Sequence, residues 1–538
     1  MNTKKIAVRR NSFYKRPGPV FKKWLLFSTF FFIFVLSLLT RLSPIHASGF
    51  RVARPDAISH LKHSMADPFK YASSKLPQNI KSLIAGRKIK SMIVFQGGRD
   101  ACAQYFKSRF PAVVLEEFAD HYADGSKTYL FKSSGGGFYI DYRNYGRDMA
   151  VHKAMLYHYA GLPHDKITVI TGGSEENSVF ASGVAAAGPA DFAIIGYVRS
   201  FVRDFTLRKL AFERAKFLKE FLKDSAARDK LMRSLKAAFI LKYGIAGLKD
   251  EKYKAVKDFF RLASASDPSL FFKKSSYYFA LDDAQDSLLK ICPASGGGLE
   301  SWPASGFKEI LVEKGFKYNP VGGRHSFKAG EYLKSAFDIR RFDFIVKGGR
   351  RARILITKHP YGEQAGILAG ELLASGVSRV LFFGSCGGMD ENMAAGDIVV
   401  PEAFYRFDEN GRFYGPAFSN HIYRHFKDKK RTETGEVENS FKLRDYHVSL
   451  PSPLIETAQA LEKFKSKKIT SVDCESYYLF EKTFPGRFVS AFFIVTDLPG
   501  KPNTLESFDS GSAVITSAQM RALDFIIEYF EIEDAVVY

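Results

Sequence analysis

The sequence predicts an α/β protein with a mixed central sheet flanked by helices, set behind an N-terminal apolar helix. The first sign is a recurring order of apolar run, glycine turn, helical stretch and second apolar run, which marks βαβ units and a parallel sheet. The second is composition. With 538 residues, 46% hydrophobic and 25% charged, the chain buries a core of about two to four domains and is not a disordered, collagen-like or disulfide-scaffold protein. The third is a 17-residue uncharged apolar run at 24–40 behind a basic flank.

That flank comes first in the chain. Nine Lys and Arg residues and no acid fall in the first 41 positions, supplying +9 of the formal +22. The remaining +13 or so reads as a moderate excess spread along the chain, and no nucleic-acid motif accompanies it, so no nucleic-acid partner is expected. As a helix, residues 24–40 rise roughly 25 Å and just reach across a hydrocarbon core of about 30 Å. Positive charge on the N-terminal side keeps residues 1–23 in the cytoplasm and sends the rest across the membrane. The run is a signal anchor, or a long signal peptide cut near Ile45-His-Ala47. The expected location is therefore the inner (cytoplasmic) membrane with the bulk outside the cytoplasm, or export if the signal is cleaved. Residues 41–88 read as a polar linker. Cys102, Cys292, Cys386 and Cys474 are too sparse for a disulfide framework and lack a C-x-x-C pair for zinc; no metal is expected.

Residues 89–292 read as an N-terminal α/β domain with a helical extension. Ser91-Met-Ile-Val-Phe95 is a buried strand ending at Gly97-Gly98. Gly137-Phe-Tyr-Ile-Asp141, a helix over about 148–160, and Lys166-Ile-Thr-Val-Ile-Thr171 closing on Gly172-Gly173 make a βαβ unit. From about 199 to 265, Leu210, Phe217 and Phe221 recur at helical spacing among Lys and Arg, giving helices with a core-facing stripe and a solvated basic face rather than a membrane-surface helix. Residues 293–306, rich in Gly, Ser and Pro, read as a linker. A second α/β domain fills 307–538, with strands at 342–346, 352–357, 380–383, 398–400 and 488–495, a helix over about 364–374 and a terminal helix over about 514–530. The segments 131–146 and 346–362 line up, each running through a helix to a strand with a Gly-Gly turn and then Glu-Asn. The halves are two tandem related domains, the first a degenerate copy, or two βαβ units that look alike by construction.

Chemistry concentrates in Val380-Leu-Phe-Phe-Gly-Ser-Cys-Gly-Gly388. A strand opening into Gly384, Ser385, Cys386 and Gly387 exposes backbone N–H groups and a hydroxyl suited to an anion or a sugar hydroxyl. With Gly396-Asp-Ile-Val-Val400 after it, this stretch resembles the purine nucleoside and uridine phosphorylase superfamily, which includes the methylthioadenosine/S-adenosylhomocysteine and AMP nucleosidases. His359-Pro-Tyr-Gly362 looks like the family's glycine turn. Ser471-Val-Asp-Cys-Glu475 looks like its Met-Glu segment, with Cys474 in the methionine's place, and Phe493-Ile-Val-Thr-Asp497 is similar to the strand ending in its catalytic Ser/Thr-Asp. The resemblance covers roughly 305–538 and implies a phosphorylase-like sheet, cleavage of an N-glycosidic bond in a nucleoside or related compound, no cofactor, and self-association into a homo-oligomer, or a first half serving as a dimer-like partner.

Such cleavage needs a proton donor at the base and carboxylate support at the sugar. The resemblance makes Asp497 the candidate acid and Glu475 the ribose-binding carboxylate, with Ser385, Cys386, Gly384, Gly387, Gly362 and Cys474 binding substrate. One position departs from the pattern. Where phosphate-using members commonly carry an arginine three residues before the Ser, this chain has Phe382, which cannot form a bidentate phosphate pair. Hydrolysis is thus favoured over phosphorolysis, with Arg99, Lys317, Arg324 or Arg351 as alternative sources of charge if phosphate is used. A non-catalytic nucleoside- or nucleotide-binding protein on the same fold is the alternative reading.

Overall fold

The computed structural model describes residues 63–280, 316–329 and 339–536 apart from short internal stretches. The basic flank, the apolar run at 24–40 and the linker at 293–306 lie outside the described residues. No described helix is long and apolar enough to cross a membrane.

In chain order the strands are β1 (Ser91–Gln96), β2 (Leu115–His121), β3 (Lys127–Ser133), β4 (Phe138–Arg143), β5 (Ile167–Thr171), β6 (Phe192–Ile195), β7 (Phe316–Val321), β8 (Arg324–Ala329), β9 (Ile339–Val346), β10 (Arg350–Thr357), β11 (Arg379–Gly388), β12 (Ile398–Phe407), β13 (Phe413–Phe418), β14 (Lys442–Ser449), β15 (Ile469–Asp473), β16 (Phe488–Asp497) and β17 (Ile532–Val536). Each expected strand overlaps one of these, those expected at 137–141 and 166–171 beginning one residue later as β4 and β5, and the expected helices appear as Arg147–Tyr159, Glu363–Ala374 and Ala513–Tyr529.

Two sheets form. One has the order β2-β3-β4-β1-β5, and the larger has β13-β12-β14-β15-β11-β6-β10-β9-β17 with β16 pairing both β11 and β12. Within the larger sheet β11, β16, β12, β14 and β15 each pair the next and β15 returns to β11, so these five strands close a ring.

The boundary between the halves is not where the sequence suggested. Strand β6, counted above in the first domain, lies between β10 and β11, parallel to both. Its four residues are all buried, Phe192 and Ile194 in one core layer and Ala193 and Ile195 in the layer on the other face. That is how a strand covered on both faces reads, a continuous apolar run without alternation. With β6 reassigned, β3-β4-β1-β5 and β9-β10-β6-β11 have the same order and the same directions, antiparallel for the first pair and parallel for the next two. In both units a helix joins the second strand to the fourth, Arg147–Tyr159 in one and Glu363–Ala374 in the other. The two units therefore meet near residue 190, and the helices after β6 are an excursion within the second.

The polar linker expected at 41–88 is also corrected over its described part. Residues 63–88 carry two helices, Pro68–Lys75 and Gln78–Ala85. Met65, Ala72, Leu76, Ile80 and Ile84 enter a core shared with Met92, Val94, Val448 and Leu454. Asp67 caps the first of these helices by accepting from the Lys70 N–H at 2.7 Å, with Pro68 following at the first helical position, the usual start signal.

Candidate active site

The site forms where β11, β15, β16 and the segment after β10 converge. Parallel pairing of β11 with β16 shifts register between Cys386 and Gly387, which sets Gly387 beside Asp497. On its other side Gly387 pairs with Val472 in antiparallel β15, so the chain continuing to Glu475 runs back alongside residues 384–386. A Cβ on Gly387 would lie 2.7 Å from Pro499 and 3.0 Å from Val472, so only glycine lets these three segments approach. Asp497, Glu475, Cys386 and Gly387 are thus brought together, with Ser385 exposed beside them.

Glu475 is 7% exposed, and its Oε2 accepts from the Cys474 N–H at 3.2 Å and lies 3.5 Å from Nε2 of His359. Burial pulls the His359 imidazole down, but Glu475 and then Asp473 outweigh it and raise the pKa above its ordinary value. The turn bearing Glu475 is held by Asp473, which accepts from Ser449 Oγ at 2.6 Å, Ser476 Oγ at 3.0 Å and the Ser476 N–H at 3.0 Å. Nε2 of the fully buried His447 stands 3.1 Å from the same carboxylate. Burial pushes Asp473 up, but His447 and these hydroxyls win and hold it below its ordinary value. Asp473 is therefore an anionic anchor for the Glu475 turn.

Asp497 is 6% exposed and accepts from Thr496 Oγ1 at 2.9 Å. Opposite it stands a carboxyl that the sequence reading missed. Glu456, 7% exposed, is pushed up to about 8, first by burial and then by the charge of Asp497, with the Ser64 hydrogen bond opposing. Ser64 Oγ donates to Glu456 Oε2 at 2.9 Å, and the Ser64 N–H donates to the Glu456 carbonyl at 2.8 Å. Residue 64 thus docks on the loop after β14. No motif marks Glu456; it reaches the site only through that loop and its N-terminal strap.

Cys386 is buried between Asp497 and Asp473, and burial, then those two charges, holds its thiol well above its ordinary pKa. The Cys474 thiol is raised for the same leading reason and hydrogen-bonds Tyr361. Neither thiol is ionised at neutral pH, so neither is a ready nucleophile. Among the described residues no group of three His, Cys, Asp or Glu side chains could hold a metal ion.

Gly362 has a packing environment rather than an open one. It adopts φ +59°, and a Cβ there would lie 2.7 Å from the Asp148 Cβ. A Cβ on Gly146 would reciprocally lie 2.9 Å from the Glu363 carboxylate. These glycines occupy matching places in the two units, each just before its helix, and the helix N-termini meet there. Glu363 accepts from the N–H groups of Arg147 and Asp148, satisfying donors at a helix start. Asp148, fully buried, accepts from the Tyr478 hydroxyl; burial and then Glu363 push it up to about 7, against Tyr478, Arg406 and Arg147. His152 Nδ1 lies 2.9 Å from Ser452 Oγ. The first unit thus supports three segments of the site, those around residues 361, 452 and 478.

Residues 326–481 match the family model described as the phosphorylase superfamily. The matched stretch carries Ser385, Cys386, Glu475 and Glu456 and stops before Asp497. Among solved structures, similar chains include the 5′-methylthioadenosine/S-adenosylhomocysteine nucleosidase of Campylobacter jejuni, at 12% identity over 41% of this chain and 92% of that one, TM-score 0.27. Others are a purine nucleoside phosphorylase of Toxoplasma gondii at 16% identity, 42% and 86% coverage and TM-score 0.28, and the futalosine hydrolase of Helicobacter pylori at 16% identity, 41% and 92% coverage and TM-score 0.26. No curated protein matches the chain.

Of the cations considered for phosphate, Arg99 is paired with Glu117 at 2.9 Å beside the smaller sheet, and Arg351 sits at the start of β10, away from its site end. Lys317 and Arg324 lie on the β7–β8 hairpin. Phe382 is fully buried, its ring 5.0 Å from His359 and 5.9 Å from Phe493, so the position that would carry the family's arginine faces packed core.

Proposed function

We propose that the protein cleaves the N-glycosidic bond of a nucleoside or a related compound, by hydrolysis in preference to phosphorolysis. The observation that carries this is the convergence of Asp497, Glu475 and Glu456, all nearly buried, around the Gly384-Ser-Cys-Gly end of β11 in a chain whose residues 326–481 match the phosphorylase superfamily model. Asp497 donates a proton to the leaving base, while Glu475 accepts from ribose hydroxyls and supports the developing ribosyl cation. His359, drawn toward its charged form by Glu475, fixes that carboxylate's orientation. Glu456, whose burial holds its proton at neutral pH, offers the base both a donor and an acceptor.

The preference for water rests on Phe382 and on the engagement of Arg99 and Arg351 elsewhere. Base release is expected to proceed at a similar rate with and without phosphate and to yield the free sugar. Strict phosphate dependence with a sugar 1-phosphate product would make the protein a phosphorylase. Tight nucleoside binding without turnover would favour the binding-module reading.

Glu456 sets a pH limb. Its folded pKa of about 8 lies above the ordinary carboxylate value, so the folded state holds a proton that the unfolded chain releases near pH 4.3. The stabilisation is complete below that value and is lost as pH rises through about 8. Turnover is expected to fall over the same upper range as Glu456 ionises beside Asp497. In Glu456→Gln this alkaline limb should flatten in a kcat/KM profile; an unchanged limb would assign it to another group.

The basic flank and apolar run support a membrane anchor with the bulk of the chain outside the cytoplasm. A reporter fused after Tyr538 is then active only outside the cytoplasm, and cytoplasmic activity would overturn the anchor.

A further inference from the structure

We propose that the helical excursion after β6 ends in a membrane-contacting tip, with Leu241 and Ile245 entering an anionic lipid surface and the surrounding Lys and Arg residues binding its headgroups. This goes beyond the catalytic reading and does not depend on it.

Exposure is the first observation. Ten large hydrophobic residues are exposed among those described, and four of them, Ile240, Leu241, Tyr243 and Ile245, fall within six positions. Leu241 is 92% exposed and Ile245 79%. Scattered exposed apolar residues are ordinary, but a contiguous group marks an interaction surface. These residues are not misplaced core. The tip is the end of helix Ser225–Tyr243 and the short turn Ile245–Lys249, and it has its own inward set. Leu235, Phe239 and Val256 are buried, Phe239 meets the Tyr253 ring at 4.7 Å edge-on, and a Cβ on Gly247 would lie 2.4 Å from the Tyr243 Cβ. The turn is therefore held from within while Leu241 and Ile245 point away.

Charge is the second observation, and it revises the view that the basic excess is spread along the chain. Residues 199–261 contain 18 Lys and Arg against eight Asp and Glu, a net +10 out of the +13 left beyond the N-terminal flank. Over 225–249 there are six Lys and Arg and a single acid, Asp229. Arg228, Lys230, Arg233, Lys236 and Lys249 are all exposed.

Together these features select the occupant. An apolar tip ringed by cations matches a lipid surface, where apolar side chains enter the acyl boundary and Lys and Arg meet anionic headgroups. A second copy of the chain would bring two strongly basic arms face to face, and four apolar side chains are far fewer than a stable protein interface needs. A nucleic acid would use the charge but leave Leu241 and Ile245 in water. The apolar run at 24–40, read as membrane-crossing, would hold the chain beside such a surface.

The test uses the full chain, in which Trp24 and Trp302 are the only tryptophans. With both replaced by Phe, single reporters Leu241→Trp and Ile245→Trp are placed on the tip, and Phe110→Trp, at another exposed apolar position, serves as the control. Each is reconstituted in vesicles containing brominated phosphatidylcholine, with or without phosphatidylglycerol. Tip reporters should be quenched at least about twofold more than the control, in anionic vesicles only, and 0.5 M salt or Lys230→Glu with Lys236→Glu should remove the difference. Quenching equal to the control in anionic vesicles overturns the proposal. So does concentration-dependent shielding of the tip reporters from aqueous iodide in lipid-free protein, which would assign the tip to a second copy.

Discussion

Asp497→Asn is expected to lower kcat by roughly 10²- to 10⁴-fold with KM nearly unchanged, the usual contribution of a general acid. The asparagine keeps the shape and can still accept from Thr496 Oγ1, the 2.9 Å partner of the carboxylate, so the fold around β16 is preserved and only the transferable proton is lost. Glu475→Gln should behave differently. It weakens the pairing with His359, 3.5 Å away, as well as the contacts to the sugar hydroxyls, so both kcat and KM suffer. Steady-state kinetics on the two variants separate these patterns. A loss under about threefold for Asp497→Asn would remove it from the mechanism while leaving the fold untouched.

A fragment of residues 305–538 is expected not to fold. The superfamily match begins at residue 326, and a fragment chosen on it looks complete in sequence. It lacks β6, whose residues bridge β10 to β11 through Phe192–Ile195. Without that strand two interior strand edges lose their hydrogen-bond partners and the core layers on both faces lose their central side chains, which exposes edges prone to aggregation. The helix Glu176–Ala187 and the support of Asp148 for Tyr478 are lost as well. Gel filtration and a urea melt should show aggregated or non-cooperative material for 305–538 and a cooperative transition for a chain beginning before His63. A soluble fragment that melts cooperatively and turns over nucleoside would show that β10 and β11 can close on each other.

The N-terminal strap shows why part of the site was invisible beforehand. Ser64 lies in a stretch whose polar composition reads as a linker, yet it donates to Glu456, 392 residues away in the chain. Neither residue belongs to a local pattern, since the pairing depends on how the loop after β14 and the helices at 68–85 share one core.

What the sequence determined by itself is local. Period and glycine placement were enough for β1, β4, β5, β10, β11 and β16 and for the helices between them, because a buried strand ending in a glycine turn is written in adjacent residues. The ordered motifs around Ser385, Glu475 and Asp497 were legible for the same reason, each being a strand end with a short polar signature. Tertiary structure alone decided the rest. It placed β6 in the second sheet, because four apolar residues fit any covered strand position and only pairing with β10 and β11 says which. It set Gly362 at a point of close approach to Asp148, and it brought Glu456 to Asp497, since burial and the field of a distant carboxylate are properties of assembled chains rather than of sequence neighbours.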